Sequence, residues 1–255
     1  MITTKKKIFI CGDSFSCIDK RYPGAHWSEK LQCLLGETYQ IINLARPGAS
    51  NFLIYLQVIR AAESNASFVI VNATEPGRIE LRKILENTSL IDSINDRIAR
   101  SGEYKQDQVL DDRLTPLSDG SFFSFSVQSF VNDSIGLPWQ KMTKGRAESL
   151  KRYLADVFDF ELAAYQDAAY LIAASSILRD SNIQFSWHPG LWSWRGAKFE
   201  LLRKAVKVTE FVDINLPGFA FDNKYTFHTS NAKDIEYIAN AYYKLLKEKM
   251  SDDNC

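Results

Sequence analysis

Ser14 is where this sequence offers chemistry first. The stretch "KIFICGDSFS" (residues 7–16) runs through Ile8, Phe9 and Ile10 and stops on Gly12-Asp13-Ser14. The apolar run reads as a buried strand. A hydroxyl directly after its end stands where open α/β sheets bind their ligands, beyond the carboxyl ends of the strands. A serine hydroxyl attacks an acyl carbon only when a base takes its proton and donors hold the oxyanion that forms. The usual base is histidine, and the chain has three: His26, His188 and His228. His26 opens a predicted helix beside Trp27 and reads as a surface or capping residue. His188 ends a predicted strand among Trp187, Trp192 and Trp194. It reads either as a packed aromatic-cluster histidine or as a substrate-pocket residue. His228 lies in a loop before the last helix, also on the carboxyl-end face.

Other residues gather on the same predicted face. Asn72 and Thr74 close the strand "SFVIVNAT" (67–74), and in the loop "RPGASN" (46–51) Asn51 or Ser50 would cap the helix that follows. Arg78 follows the third strand; it would hold an anionic substrate group in a bidentate fork or make a salt bridge on the loop. Phe122, Phe123 and Phe125 form an aromatic knot that would pack in its own segment or line an acyl or sugar pocket.

Three stretches together resemble the SGNH, or GDSL-type, hydrolase family: "GDSFS" after a first strand, "NLARPGASN" after a second, and "HTSNAKDIEYIANAYYKLL" at the end. The resemblance implies Ser14 as nucleophile, the Ser14 and Gly48 backbone N–H groups as oxyanion donors, and His228 as base. The family's third block is Gly-x-Asn-Asp. Here the matching stretch is Asn72-Ala73-Thr74-Glu75, which puts Thr74 at the third donor position. The family's acid lies three residues before its histidine, where this chain has Tyr225; the nearest upstream acid is Asp222. An acid there fixes the imidazole tautomer and stabilises the imidazolium. The sites expected on this basis are Ser14, His228 and Asp222 for catalysis, Gly48 and Thr74 for the oxyanion, and Asn51, Asn72, Arg78 and His188 around the substrate.

The elements that must position these residues alternate. Strands are expected at 8–10, 39–45, 67–74, 183–189 and 210–216. Helices are expected at 26–35, about 52–63, about 79–100, 146–179 and about 231–249. The 146–179 helix would bury Leu150, Leu154, Val157, Phe158, Leu162, Tyr165, Ala169 and Ile172 on one face. Strand–helix alternation implies a parallel sheet covered on both faces. The resemblance sharpens this to a three-layer α/β/α domain, SGNH-hydrolase or flavodoxin-like, with a mostly parallel five-stranded sheet. A single domain spanning 1–255 is expected, with an excursion or lid at about 76–145.

Composition sets the remaining bounds. The 255 residues are 45% hydrophobic and 13% aromatic, enough for a sizeable core. Lysine plus arginine and aspartate plus glutamate are 31 each, which argues against a nucleic-acid or membrane-surface binder held by bulk charge. Cys11, Cys17, Cys33 and Cys255 have neither CxxC spacing nor histidine partners at zinc-finger distances, so they read as reduced thiols and no metal site is expected. No signal peptide or membrane span is read in the sequence, which points to a cytoplasmic protein. The expected activity is hydrolysis or transfer of a small acyl ester, such as an O-acetyl group on a carbohydrate, without a cofactor. Its rivals are a non-catalytic SGNH-like binding protein and an acyltransferase to an acceptor other than water. Oligomeric state is not legible.

Overall fold

A computed structural model describes residues 5–18, 23–46, 49–82, 122–126, 144–188 and 232–251. Within them, four strands form one parallel sheet: β1 (Lys6–Cys11), β2 (Tyr39–Asn43), β3 (Phe68–Asn72) and β6 (Gln184–His188), in the order β2-β1-β3-β6. A separate antiparallel pair joins β4 (Arg78–Arg82) to β5 (Phe122–Ser126). The helices are α1 (Trp27–Leu35), α2 (Asn51–Glu63), α3 (Lys144–Asp156), α4 (Phe160–Asp180) and α5 (Ala232–Ser251). The expected strand at 210–216 lies outside the described residues, as does most of the expected excursion.

β3 is buried along all five residues, which explains why "FVIVN" is a nearly continuous apolar run rather than an alternating one. Its side chains divide the core in two. Val69 and Val71, with Phe9, Cys11, Phe185 and Trp187, face Leu53, Ile54 and Val58 of α2 and Ala168, Leu171 and Leu178 of α4. Phe68 and Ile70, with Ile8 and Ile10, face Trp27 and Leu31 of α1 and Ile235, Ile238, Tyr242 and Leu246 of α5. Helices therefore cover both faces of the parallel sheet, and each fully buried Leu, Ile or Val contributes about 1.5–3 kcal/mol.

Two helix starts are encoded locally. Ser50 is the N-cap of α2, its hydroxyl accepting from the Leu53 N–H. His26 caps α1 through Nδ1, which accepts from the Ser28 N–H, while Glu29 accepts from the His26 N–H, completing a capping box. The capping reading of His26 holds. The surface reading does not, because its side chain is buried.

Two expectations are corrected. The 79–100 helix does not begin as one: Arg78–Arg82 is a strand registered against Phe122–Ser126, Ile79 opposite Phe125 and Leu81 opposite Phe123. The long 146–179 helix is two helices. Asp159 caps α4, its carboxylate accepting from the Glu161 and Leu162 N–H groups, and ends the earlier periodicity. The break rotates the buried face. Ala164, Ala168, Leu171, Ala174 and Leu178 are inside, whereas Val157, Leu162, Tyr165 and Ala169 are exposed.

Candidate active site

The chain passes from β1 through α1 to β2 on one side of β1, then through α2 to β3 on the other side. The direction of winding therefore reverses between β1 and β3, and the carboxyl ends of these two strands flank the crevice that such a reversal opens. Residues 12–16 follow β1 and residues 73–78 follow β3. Ser14 thus stands at the switch point.

A tight turn carries it. The Ser16 N–H donates to the Asp13 carbonyl at 3.0 Å, which makes Ser14 and Phe15 the two central residues. The Asp13 side chain reinforces the turn by accepting from the Phe15 N–H at 3.0 Å. Ser14 is half-buried. Gly12 is required by close approach, since a Cβ there would meet Ser16 Oγ at 2.6 Å and Ser16 Cβ at 2.8 Å.

Carboxamides and an indole hold this turn from four directions. Gln57 of α2 accepts from the Gly12 N–H at 2.7 Å and donates to the Gly12 carbonyl at 3.2 Å. Asn72, the last residue of β3, donates to Ser16 Oγ at 2.7 Å. The other end of its carboxamide accepts from the Tyr242 hydroxyl at 2.8 Å. Asn43, the last residue of β2, donates to the Ser16 carbonyl at 2.7 Å. Trp27 Nε1 donates to the Phe15 carbonyl at 3.2 Å, and its ring stacks on Tyr242.

On the β3 side, Asn51 brackets Thr74: its Oδ1 accepts from the Thr74 N–H at 3.0 Å and its Nδ2 lies 3.4 Å from the Thr74 carbonyl. The Thr74 hydroxyl donates to Asp13 Oδ2 at 2.5 Å. A hydroxyl has one proton, so as an oxyanion donor Thr74 would have to turn away from Asp13. Arg78 reaches the same carboxylate, its Nη2 3.5 Å from Asp13 Oδ2, and its Nη1 lies 3.3 Å from the Ala49 carbonyl. Burial pushes the Asp13 carboxyl above the ordinary aspartate range, and Arg78, the Thr74 hydroxyl and the Phe15 N–H pull it part of the way back. Burial also raises the Cys11 thiol, which makes it an inert core residue rather than a nucleophile.

The structure brings Ser14, Asn51, Asn72, Thr74 and Arg78 to one end of the sheet. His188 is there too, buried and directly opposite Asn72 in the β3–β6 register. Asn51 and Asn72 both have their carboxamides engaged by the protein itself. Gly48, Asp222 and His228 lie outside the described residues. Among the described residues, no group of three histidine, cysteine, aspartate or glutamate side chains could hold a metal ion.

Gln57, Tyr242, Ser16 and Asn43 are site-building residues that the sequence reading did not single out. Gln57 carried a signal, since it interrupts the apolar stripe Leu53, Ile54, Val58 and Ala61 of α2. Tyr242 interrupts the stripe of α5 only with its hydroxyl. No protein-family model matches the chain, and no curated protein matches it.

Proposed function

We propose that the chain is a serine hydrolase that cleaves a small acyl ester through an acyl-enzyme on Ser14. The observation that supports this most is the position of Ser14. It lies half-buried on a turn braced by Gln57, Asn72, Asn43 and Trp27, beside the crevice at the β1/β3 winding reversal. A nucleophile needs that fixed presentation, because productive attack depends on reacting atoms held in a near-attack geometry.

In this reading Ser14 Oγ attacks the ester carbonyl carbon while His228 takes the hydroxyl proton. The tetrahedral oxyanion is held by the backbone N–H groups of Ser14 and Gly48, with Thr74 as third donor once its hydroxyl leaves Asp13. Collapse releases the alcohol, which receives the proton from His228, and water then frees the acid. Asp222 orients the imidazole. His188 and Asn72 flank the substrate, and neither a metal nor an organic cofactor takes part. The matching architecture is a single SGNH-like, three-layer domain with a fifth strand at 210–216 and a lid drawn from residues 76–145. The same acyl-enzyme serves transfer to an acceptor other than water.

A second reading, a non-catalytic binding protein on the same scaffold, is favoured by one observation: the Thr74 hydroxyl is already given to Asp13 at 2.5 Å. A fluorophosphonate probe separates the two. Covalent labelling of the wild-type chain that disappears in Ser14→Ala supports the hydrolase; an unlabelled, folded wild-type chain supports the binding protein.

A further inference from the structure

Arg78 is a buried cation that the protein underuses. Its side chain is 10% exposed. A guanidinium carries five N–H donors, and among the described residues only two contacts engage this one, both long: 3.3 Å to the Ala49 carbonyl and 3.5 Å to Asp13 Oδ2. Its Nε is buried without a hydrogen-bond partner. Nε and Nη2 form the side-on edge of the guanidinium, the edge that grips two oxygens of a carboxylate or phosphate in parallel. Asp13 cannot fill that edge. Its Oδ1 is taken by the Phe15 N–H, and its Oδ2 by the Thr74 hydroxyl at 2.5 Å. Arg78 therefore meets one oxygen of an acid that is already well bonded elsewhere. A buried charge so loosely paired is costly unless something else completes its hydrogen bonds.

The surroundings favour an anion as that partner. The Ala49 carbonyl that holds Nη1 immediately precedes Ser50, the N-cap of α2, so the guanidinium sits at a helix N-terminus, where the backbone dipole also attracts negative charge. The carboxylate Arg78 does meet, Asp13, is the neighbour of Ser14 in the braced turn. Loss of Arg78 to a ligand would leave Asp13 the Phe15 N–H, and the Thr74 hydroxyl until that turns to the oxyanion.

The geometry points to Arg78 as an oxyanion-recognition residue beside Ser14: its Nε–Nη2 edge takes a carboxylate or phosphate group carried by the ligand. Resting on the hydrolase reading, this makes the substrate an anionic ester rather than a neutral one.

The test has a binding arm that needs no turnover. Succinate and inorganic phosphate are titrated into the full chain at constant ionic strength, against chloride, while the Arg78 Nε–H resonance is followed by NMR and melting by calorimetry. A saturable shift of that resonance, with a rise in melting temperature that Arg78→Lys abolishes, is expected, because an ammonium keeps the charge and lacks the fork. A response to succinate alone identifies a carboxylate ligand, and a response to phosphate alone a phosphorylated one. No saturable response to either in the wild-type chain overturns the assignment. Ser14→Ala should keep the response, so binding survives even if the hydrolase reading fails. The second arm compares kcat/KM for mono-p-nitrophenyl succinate and p-nitrophenyl acetate. The anionic ester should be favoured by about tenfold or more, the worth of one charge-assisted hydrogen bond, and Arg78→Gln should bring the ratio close to one. A wild-type preference for the neutral ester overturns the substrate assignment.

Discussion

Gln57 and Gly12, 45 residues apart in sequence, are joined by a two-way bracket: one carboxamide accepts the glycine N–H at 2.7 Å and donates to its carbonyl at 3.2 Å. Both residues are buried. The bond is made two positions before Ser14, at the point where β1 leaves the sheet.

Gln57→Leu preserves side-chain bulk and removes both bonds. The Gly12 N–H is then buried without an acceptor, a loss of about 1–3 kcal/mol. Urea denaturation should show the midpoint falling with the slope unchanged. A wild-type midpoint would show that the bracket adds nothing to stability.

Tyr242→Phe deletes the hydroxyl that fixes which end of Asn72 faces Ser16. The ring stays stacked on Trp27, so packing is kept and the expected loss is about 1–3 kcal/mol, from the unsatisfied Asn72 Oδ1. On the hydrolase reading, the variant should also lower kcat on p-nitrophenyl acetate more than it raises KM, because the turn bearing Ser14 loses a brace. A change in KM alone would assign Tyr242 to substrate binding instead.

Gly12→Ala drives a methyl against Ser16 Oγ and Cβ. Overpacking of this kind costs about 1–3 kcal/mol, and here the strain falls on the turn itself. Thermal melting measures it. An unshifted melt would mean that the 13–16 turn yields freely.

The Asp13 carboxyl is raised above its ordinary value of 3.8, chiefly by burial. A carboxyl raised in the folded state binds its proton more tightly there than in the unfolded chain. Its stabilising contribution is present below the unfolded value and is lost as pH rises through the folded one. Asp13→Asn removes this titration. The stability of the wild-type chain minus that of Asp13→Asn should therefore fall as pH is raised from about 3 toward neutrality. A difference that rises with pH would mean that Arg78 and the hydrogen bonds outweigh burial.

His228→Ala and Asp222→Asn test the relay proposed for Ser14. If Asp222 orients the imidazole, each should lower kcat on p-nitrophenyl acetate by several orders of magnitude, about 10⁴-fold for loss of the correct tautomer. If a backbone carbonyl orients it, only His228→Ala is severe. Near-wild-type rates in both variants would remove the Ser–His pair from the mechanism.

The central strands of the parallel sheet were legible because they are buried: "IFIC" and "FVIVN" are apolar runs ended by turn or polar residues, while "QFSWH" showed itself by Phe185 and Trp187 alternating with polar residues. The antiparallel pair was not. "RIELR" is composed of good helix formers, and only its partner fixes it as a strand; the alternation of phenylalanine and serine in "FFSFS" was the available signal. The α3–α4 register failed between Asp156, where one helix ends, and Asp159, whose carboxylate caps the start of the next; three residues of loop are enough to rotate the apolar stripe. Near the candidate site, the place of Ser14 just beyond the end of β1 was legible, because Gly12 and Asp13 stop the apolar run. Its braces were not, because Gln57, Asn72 and Tyr242 acquire their partners only when elements 45, 56 and 170 residues apart meet.

The two carboxamides that bracket Gly12 and Thr74 belong to the same helix. Asn51 and Gln57 are six positions apart on α2, about 9 Å along its axis at 1.5 Å per residue. That helix is thus a ruler laid across the crevice, and neither rim can drift relative to it without breaking a side-chain bond. Amide hydrogen exchange would read the ruler directly. The Gly12 and Thr74 N–H groups are held by α2 side chains rather than by sheet partners. Their protons should exchange together, at the rate at which α2 lifts from the sheet, rather than at the rate at which the strands part.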